Sequence, residues 1–337
     1  MTDLRTVPEP WIAATREELI AGATDRRPVR TSDAKSGASF ERLTIDGRPC
    51  FLKTLSGNDD WIMRCTGNTT NWEFRVWRAG LYARVPDCID HAVLGMSLEG
   101  SGPGARLSIL MADRSEDMVP PGDDPLTPSE HRAFLDHLAG FHVNFLGWRD
   151  ELGLYGLADR FLFFAPDTIA DELNAADVPV PLQVAERGWA LLPQRAQRLA
   201  ELVSLVHANP ASLADALRDT PMTFVAGDWK LGNLGRRPDG RTVLLDWAYP
   251  GEAPLCWELA WYLALNAARI PESKEAAIAA YRASLEVRGV DTAGWFDRQL
   301  GLCLLGMSAV IGWEKAVGGD AELSWWAEAA EAGARWW

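Results

Sequence analysis

The spacing of apolar positions changes part-way along the chain. As far as residue 112, short apolar runs are cut by turn residues, the pattern of strands. From Ser129 onward they recur every three or four positions, the pattern of helices. A T-x-E-E start predicts a short helix over Thr15–Ala23, read as a packing arm. ERLTIDGRPCFLKTL then carries two strands across an Asp46-Gly47 turn, with Lys53 on the second. A Ser/Gly-containing loop, Lys35–Ser39, precedes the pair. Asn68–Tyr82 predicts a helix capped by Asn68 or a Thr, with Trp72, Val76 and Trp77 on one apolar face and Glu73 beside them. Two further strands follow, Cys88–Leu98 and Ala105–Met111. The Gly/Pro run between them reads as a hairpin turn, because Pro103 lacks an N–H and a strand follows where a phosphate loop would open a helix.

Beyond the Pro/Gly/Asp-rich stretch Val119–Pro128, helical spacing places Phe134, Leu138, Phe141 and Phe145 on one face, with His142 as a packed core histidine. Residues 150–182 read as irregular. Gln183–Val206, Ser212–Asp219, a segment opening at Trp257, and residues 272–288 and 292–316 read as helices. Trp325, Trp326, Trp336 and Trp337 read as packing or partner-helix residues.

Two short apolar runs interrupt the helical part, Met222–Ala226 and Thr242–Leu245, and read as buried strands. Between and after them lie Asp228, Lys230, Asn233 and Asp246, with a turn at Pro238-Asp239-Gly240. Acids at strand ends are presented to clefts by loops. Asp228 could accept a proton from a hydroxyl, and Asn233 and Asp246 are hard oxygen ligands suited to magnesium beside phosphates. The plain alternative is an acidic surface hairpin.

Composition narrows the class. With 47% hydrophobic and 24% charged residues among 337, the chain is expected to be globular, as one large or two medium domains. A net charge of −14 disfavours nonspecific nucleic-acid binding and permits a cationic substrate. No basic-then-apolar leader is visible and no apolar run reaches ~18 residues, so neither secretion nor a membrane span is expected, and the cytoplasm is the expected location. The five cysteines form no C-x-x-C pair, which suits a reducing compartment, and the five histidines show no metal-ligand spacing.

The segment from Phe224 to Tyr249 resembles the catalytic segment of the aminoglycoside phosphotransferase and choline kinase group, whose fold is that of the protein kinases. The shared pattern is D-x-x-x-x-N with a second Asp about a dozen residues on, at a strand end. LAGFH is similar to the group's L-A-x-L-H, and E-L-A at Glu258 stands where D-L-A is usual. The usual H-G-D and following His are here Ala226 and Lys230 at the two His positions.

The resemblance covers about residues 30–316 and implies an α+β, two-lobed protein-kinase-like fold. Residues 1–112 would form a nucleotide-binding lobe of antiparallel strands plus one helix, residues 113–337 a mainly helical catalytic lobe, with ATP between. It implies γ-phosphoryl transfer from ATP with Mg2+ to a small-molecule hydroxyl. Asp228 would be the base, and Lys230 would approach the transferred group. Asn233 and Asp246 would hold the metal, and Lys53 steadied by Glu73 would hold the α- and β-phosphates. Ser36 and Ser39 would belong to the nucleotide-covering loop, and Met111 and Asp113 would lie at the hinge that meets the base. Acceptor contacts would come from residues 150–182 and the stretch after Asp246. Asp159, Asp167, Asp171, Glu172 and Glu252 favour an amine-bearing acceptor, whereas Tyr155, Phe161, Phe163, Phe164 and Trp247 suit a neutral or flat one. A nucleotide-binding regulatory module without transferase activity is the alternative of another class. A protein kinase is disfavoured, since no activation segment ending in A-P-E is recognisable.

Overall fold

A computed structural model describes residues 10–29 and 37–337. The chain divides into two compact units, one of Met1–Gly122 with Leu231–Pro250, the other of Asp123–Lys230 with Gly251–Trp337.

The first unit is built on a six-stranded sheet. Its spatial order is Ile12–Ala13, Val93–Glu99, Arg106–Ala112, Arg48–Ser56, Ser39–Ile45 and Thr24–Val29. All neighbours are antiparallel except the first pair. The hairpin at its centre closes as its sequence predicts. Asp46 and Gly47 both take positive φ, 50° and 71°, between the paired residues Ile45 and Arg48, the twist a two-residue turn needs. Alternation along Arg48–Ser56 sends Cys50 and Leu52 to one face, where they pack with Ala13, Leu19, Ile20, Leu43 and Leu110. Lys53 therefore belongs to the opposite face.

The helix predicted over Asn68–Tyr82 is shorter, Trp72–Arg78. Asn71 sits in the left-handed region at φ 54°, which ends helical backbone on its N-terminal side. Asn68 still acts as an acceptor there, its Oδ1 taking the N–H of Trp72. The same unit holds a three-stranded sheet ordered Ile89–Asp90, Thr242–Leu244, Leu234–Arg236, so the second predicted run returns to pair with the first part of the chain.

The second unit is helical apart from Met222–Val225 paired antiparallel with Gly251–Pro254. Pro128–Asn144 opens with a full capping box from Thr127 and Glu130. Its core is Phe296–Val317, against which Val180–Arg195, Gln197–Ala208 and Asp320–Ala334 pack. By length and composition this helix could cross a membrane, yet 78% of its apolar window is buried within the protein. The single helix expected over Gln183–Val206 is two, parted at Ala196 with φ −149° and ψ 70°. Pro193 removes an N–H in the last turn of the first helix, which weakens its continuation. Residues 150–182, read as irregular, hold the short helices Leu157–Arg160 and Pro166–Leu173.

Candidate functional site

In the first unit, charge converges on Lys53. Its Nζ lies 2.6 Å from Asp246 Oδ1 and 3.9 Å from Glu73 Oε2, and both Lys53 and Glu73 are buried. Burial alone would lower the Lys53 pKa, but the carboxylates of Asp246 and Glu73 outweigh it and hold the ammonium above the ordinary lysine range. Burial also raises Glu73, against the pull of Lys53. Glu73 is fixed from its other side by the Tyr82 hydroxyl, which donates to Oε1 at 3.0 Å. Tyr82 in turn stacks on Trp247, ring centroids 4.0 Å apart, directly after Asp246. Glu73, Tyr82 and Trp247 thus fasten the helix Trp72–Arg78 to the end of the strand carrying Asp246. Nothing in the sequence reading singled out Tyr82. Its signal is a lone tyrosine just past a helix whose Glu is buried.

The two proposed metal ligands leave the same end of one hairpin. Leu234 pairs with Leu244, and the N–H of Leu245 donates to the Asn233 carbonyl at 3.0 Å. Asn233 therefore stands across the ladder from Leu245 and next to Asp246. Asp246 adopts φ 55°, a left-handed backbone that turns the chain sharply after the strand. One carboxylate and one amide oxygen fit a Mg2+ ion that keeps several waters and phosphate oxygens, but would not make an all-protein cage. Among the described residues no cluster of three or more His, Cys, Asp or Glu could hold a metal by itself.

Ser39 opens the strand Ser39–Ile45, in register with Thr54 and so beside the Lys53 strand. Ser36 lies outside the described residues. Met111 is buried in the strand Arg106–Ala112 between Phe51 and Val93. The N–H of Ala112 donates to Ala92 and that of Asp113 to Pro49, while the Asp113 carboxylate pairs with Arg42 at 3.1 Å. Asp113 also lines a groove of about 850 Å³ with Trp11, Leu19, Cys50 and Leu110. Because Cys50 faces away from Lys53, that groove belongs to the other side of the sheet and is no part of the Lys53 cluster.

In the second unit, Asp228 is 2% exposed and both its oxygens are engaged. Lys230 Nζ donates to Oδ2 at 2.7 Å, and the Trp261 indole donates to Oδ1 at 2.9 Å. One residue earlier, the Gly227 N–H donates to Glu258 Oε1 at 2.7 Å. Glu258 Oε2 meets His142 Nε2 at 2.9 Å, and His142 Nδ1 meets the Tyr281 hydroxyl at 2.7 Å. His142, read as a core histidine, is wholly buried and anchors this chain of bonds. Of the acids considered for the acceptor, Glu252 is paired with Arg149 and takes the Asp150 N–H. Glu172 is buried, and Asp159, Asp167 and Asp171 are exposed. Tyr155, Phe161, Phe163 and Phe164 are buried within the unit.

These features define the protein-kinase-like fold: a strand lysine with a helical glutamate, and a D-x-x-x-x-N…D segment whose second Asp leaves a hairpin. No sequence-family model matches the chain, and no curated protein matches it by sequence. Solved structures of small-molecule kinases do match. A microcompartment-associated aminopropanol kinase aligns over 92% of this chain and 90% of its own, with TM-score 0.51 and 12% identity. LicA, the choline kinase of Streptococcus pneumoniae, in complex with AMP, aligns over 93% and 94%, with TM-score 0.52 and 11% identity. An ethanolamine kinase from Plasmodium vivax aligns over 94% and 84%, with TM-score 0.55 and 9% identity. At such identity the likeness is one of fold.

Proposed function

We propose that the protein is an ATP- and Mg2+-dependent phosphotransferase that moves the γ-phosphoryl group to a hydroxyl of a small, amine-bearing molecule, an amino alcohol, amino sugar or aminoglycoside-type compound. The observation that carries this reading is the buried Lys53, held by Glu73 at 3.9 Å and by Asp246 at 2.6 Å. A packed core has little use for a buried lysine and glutamate beside a partly exposed aspartate, whereas a polyphosphate with its metal needs a fixed cation and a fixed anion side by side. LicA, solved with AMP, supports a nucleotide site in this fold.

Lys53 binds the α- and β-phosphates and Glu73 keeps it in place. Asn233 and Asp246 hold Mg2+, which when bound neutralises phosphate charge. Ser39, which opens the strand Ser39–Ile45, would lie near the nucleotide phosphates, and Met111 and Asp113 mark the strand end where the base docks. Asp228 orients the acceptor hydroxyl and takes its proton, and Lys230 offsets charge on the transferred group. The net charge of −14 and the aminopropanol, choline and ethanolamine kinases among the neighbours support an acceptor bearing an amine.

The deciding experiment measures ADP release from MgATP across amino alcohols, amino sugars, aminoglycosides and neutral sugars, with a mass shift on the acceptor. Phosphorylation of a hydroxyl supports the reading. MgATP binding without transfer to any class favours a regulatory module instead.

A further inference from the structure

Glu258 and Trp261 stand three residues apart on the helix Cys256–Leu265 and so share a face. Glu258 grips the backbone at Gly227, and Trp261 reaches the side chain of the next residue, donating its indole N–H to Asp228 Oδ1 at 2.9 Å. The second oxygen, Oδ2, takes Lys230 Nζ at 2.7 Å. The two donors differ in freedom. Trp261 is 6% exposed, and its ring has two torsions to lock. The Lys230 side chain is 35% exposed and ends a flexible four-carbon stem.

We propose that Trp261 is a positioning residue for phosphoryl transfer. Its indole N–H fixes Oδ1 and the plane of the Asp228 carboxylate, so that Oδ2, the oxygen shared with the more exposed Lys230, receives the proton of the acceptor hydroxyl. The inference rests on the function proposed above. In the step, the hydroxyl O–H bond breaks and its proton passes to Oδ2. The hydroxyl oxygen bonds to the γ-phosphorus, and ADP leaves with the electrons of the broken P–O bond. Lys230 turns from Oδ2 to the transferred group as negative charge gathers there. A carboxylate free to spin about its last torsion would offer either oxygen in many directions. An indole N–H removes that freedom without placing a second full positive charge on the base. Packing alone would explain a buried Trp261, but not its N–H meeting one oxygen of the one acid beside which Lys230 also ends.

The test uses ADP release from MgATP alone, with water in place of the acceptor hydroxyl, together with indole 15N–1H spectra. Trp261→Phe keeps most of the bulk and loses the donor. We expect its kcat to fall about ten- to a hundredfold, the loss of one hydrogen bond to a charged group, with KM for MgATP unchanged. Trp261→His, which restores an N–H, should recover part of the rate. Combined with Asp228→Asn, the Phe substitution should have no further effect, because it acts only through that carboxylate. In the spectra, the Trp261 resonance, identified by its loss in Trp261→Phe, should move in Asp228→Asn. A wild-type rate in Trp261→Phe, an equal loss in the Asp228→Asn background, or an unmoved resonance overturns the proposal. If the wild-type protein neither binds nor turns over MgATP, the proposed function fails, and the resonance alone decides whether Trp261 holds Asp228.

Discussion

Lys53 sits on Asp246: its Nζ is 2.6 Å from Oδ1, closer than the 3.9 Å to Glu73. In the proposed reaction phosphate oxygens would call on this ammonium and Mg2+ on this carboxylate, so both would compete for the pair. Glu73 would then be the anchor that keeps Lys53 aimed. Its own hold comes from Tyr82, whose hydroxyl bonds it at 3.0 Å.

Lys53→Met should therefore raise KM for MgATP or cut turnover, with Glu73→Gln milder. A charge-assisted contact to phosphate is worth roughly tenfold or more. Steady-state kinetics over a range of MgATP concentrations checks this. Wild-type KM and kcat in Lys53→Met would remove Lys53 from the site.

Asp246→Ala should abolish magnesium-dependent turnover, because the proposed metal would lose its charged ligand, whereas Asn233→Ala would leave one carboxylate plus water and should be rescued in part by excess Mg2+. A magnesium titration separates them, and equal tolerance of both changes would count against the pair.

Asp228→Asn should keep nucleotide binding and lose transfer by about 10²–10⁴-fold, the usual share of general base catalysis. Calorimetric binding of MgATP beside single-turnover transfer distinguishes this from misfolding. Near wild-type turnover would sink the assignment.

The fold and the polar residues of both clusters were legible because they are carried by linear pattern: the Asp46-Gly47 turn, Lys53 in a strand, and the spacing from Asp228 through Asn233 to Asp246. What escaped are partners set by three-dimensional packing. Trp261 reads as one more apolar position on a core helix, and Tyr82 as a residue past a helix end. Each acts through a single polar atom that hydrophobic periodicity does not weigh. The helix boundary at Asn71 and the break at Ala196 were missed for another reason. Local backbone geometry overrode a helical apolar pattern that continues across both points.

A half-buried histidine gives a pH signature. Burial lowers the His91 pKa to about 4, and its Nδ1 accepts the Val93 N–H at 3.1 Å, which requires an unprotonated nitrogen. Between the ordinary value of 6.5 and about 4, the unfolded chain binds a proton that the folded one refuses. Stability should thus fall as pH drops through that window, by about 3 kcal/mol in all, and stop falling on this account below it. Urea midpoints at pH 7 and pH 4.5, compared between wild type and His91→Gln, isolate the contribution. A parallel pH dependence in both would refute it.

The core helices touch at Gly188. A Cβ there would come 2.2 Å from the Trp313 carbonyl oxygen, a backbone atom that cannot turn aside. Gly188→Ala should cost about 1–3 kcal/mol, as overpacking does. The thermal midpoint measures it, and an unchanged midpoint would show that the two helices slide apart freely.

The hairpin from Leu234 to Leu244 separates two properties that a linear motif confuses. Its turn, at Pro238–Gly240, lies at the far end from Asn233 and Asp246, and the pairing of Leu234 with Leu244 fixes the near end. Residues can be added to or trimmed from the turn while the two oxygen donors stay level. A slip of one pair along the ladder would shift one donor by about 3.3 Å and turn its side chain to the other face. If Asn233 and Asp246 hold the metal as proposed, the count of residues between them could change without parting the two oxygens. On that reading the alignment of the two strands, more than a fixed interval in sequence, is the constraint on the site.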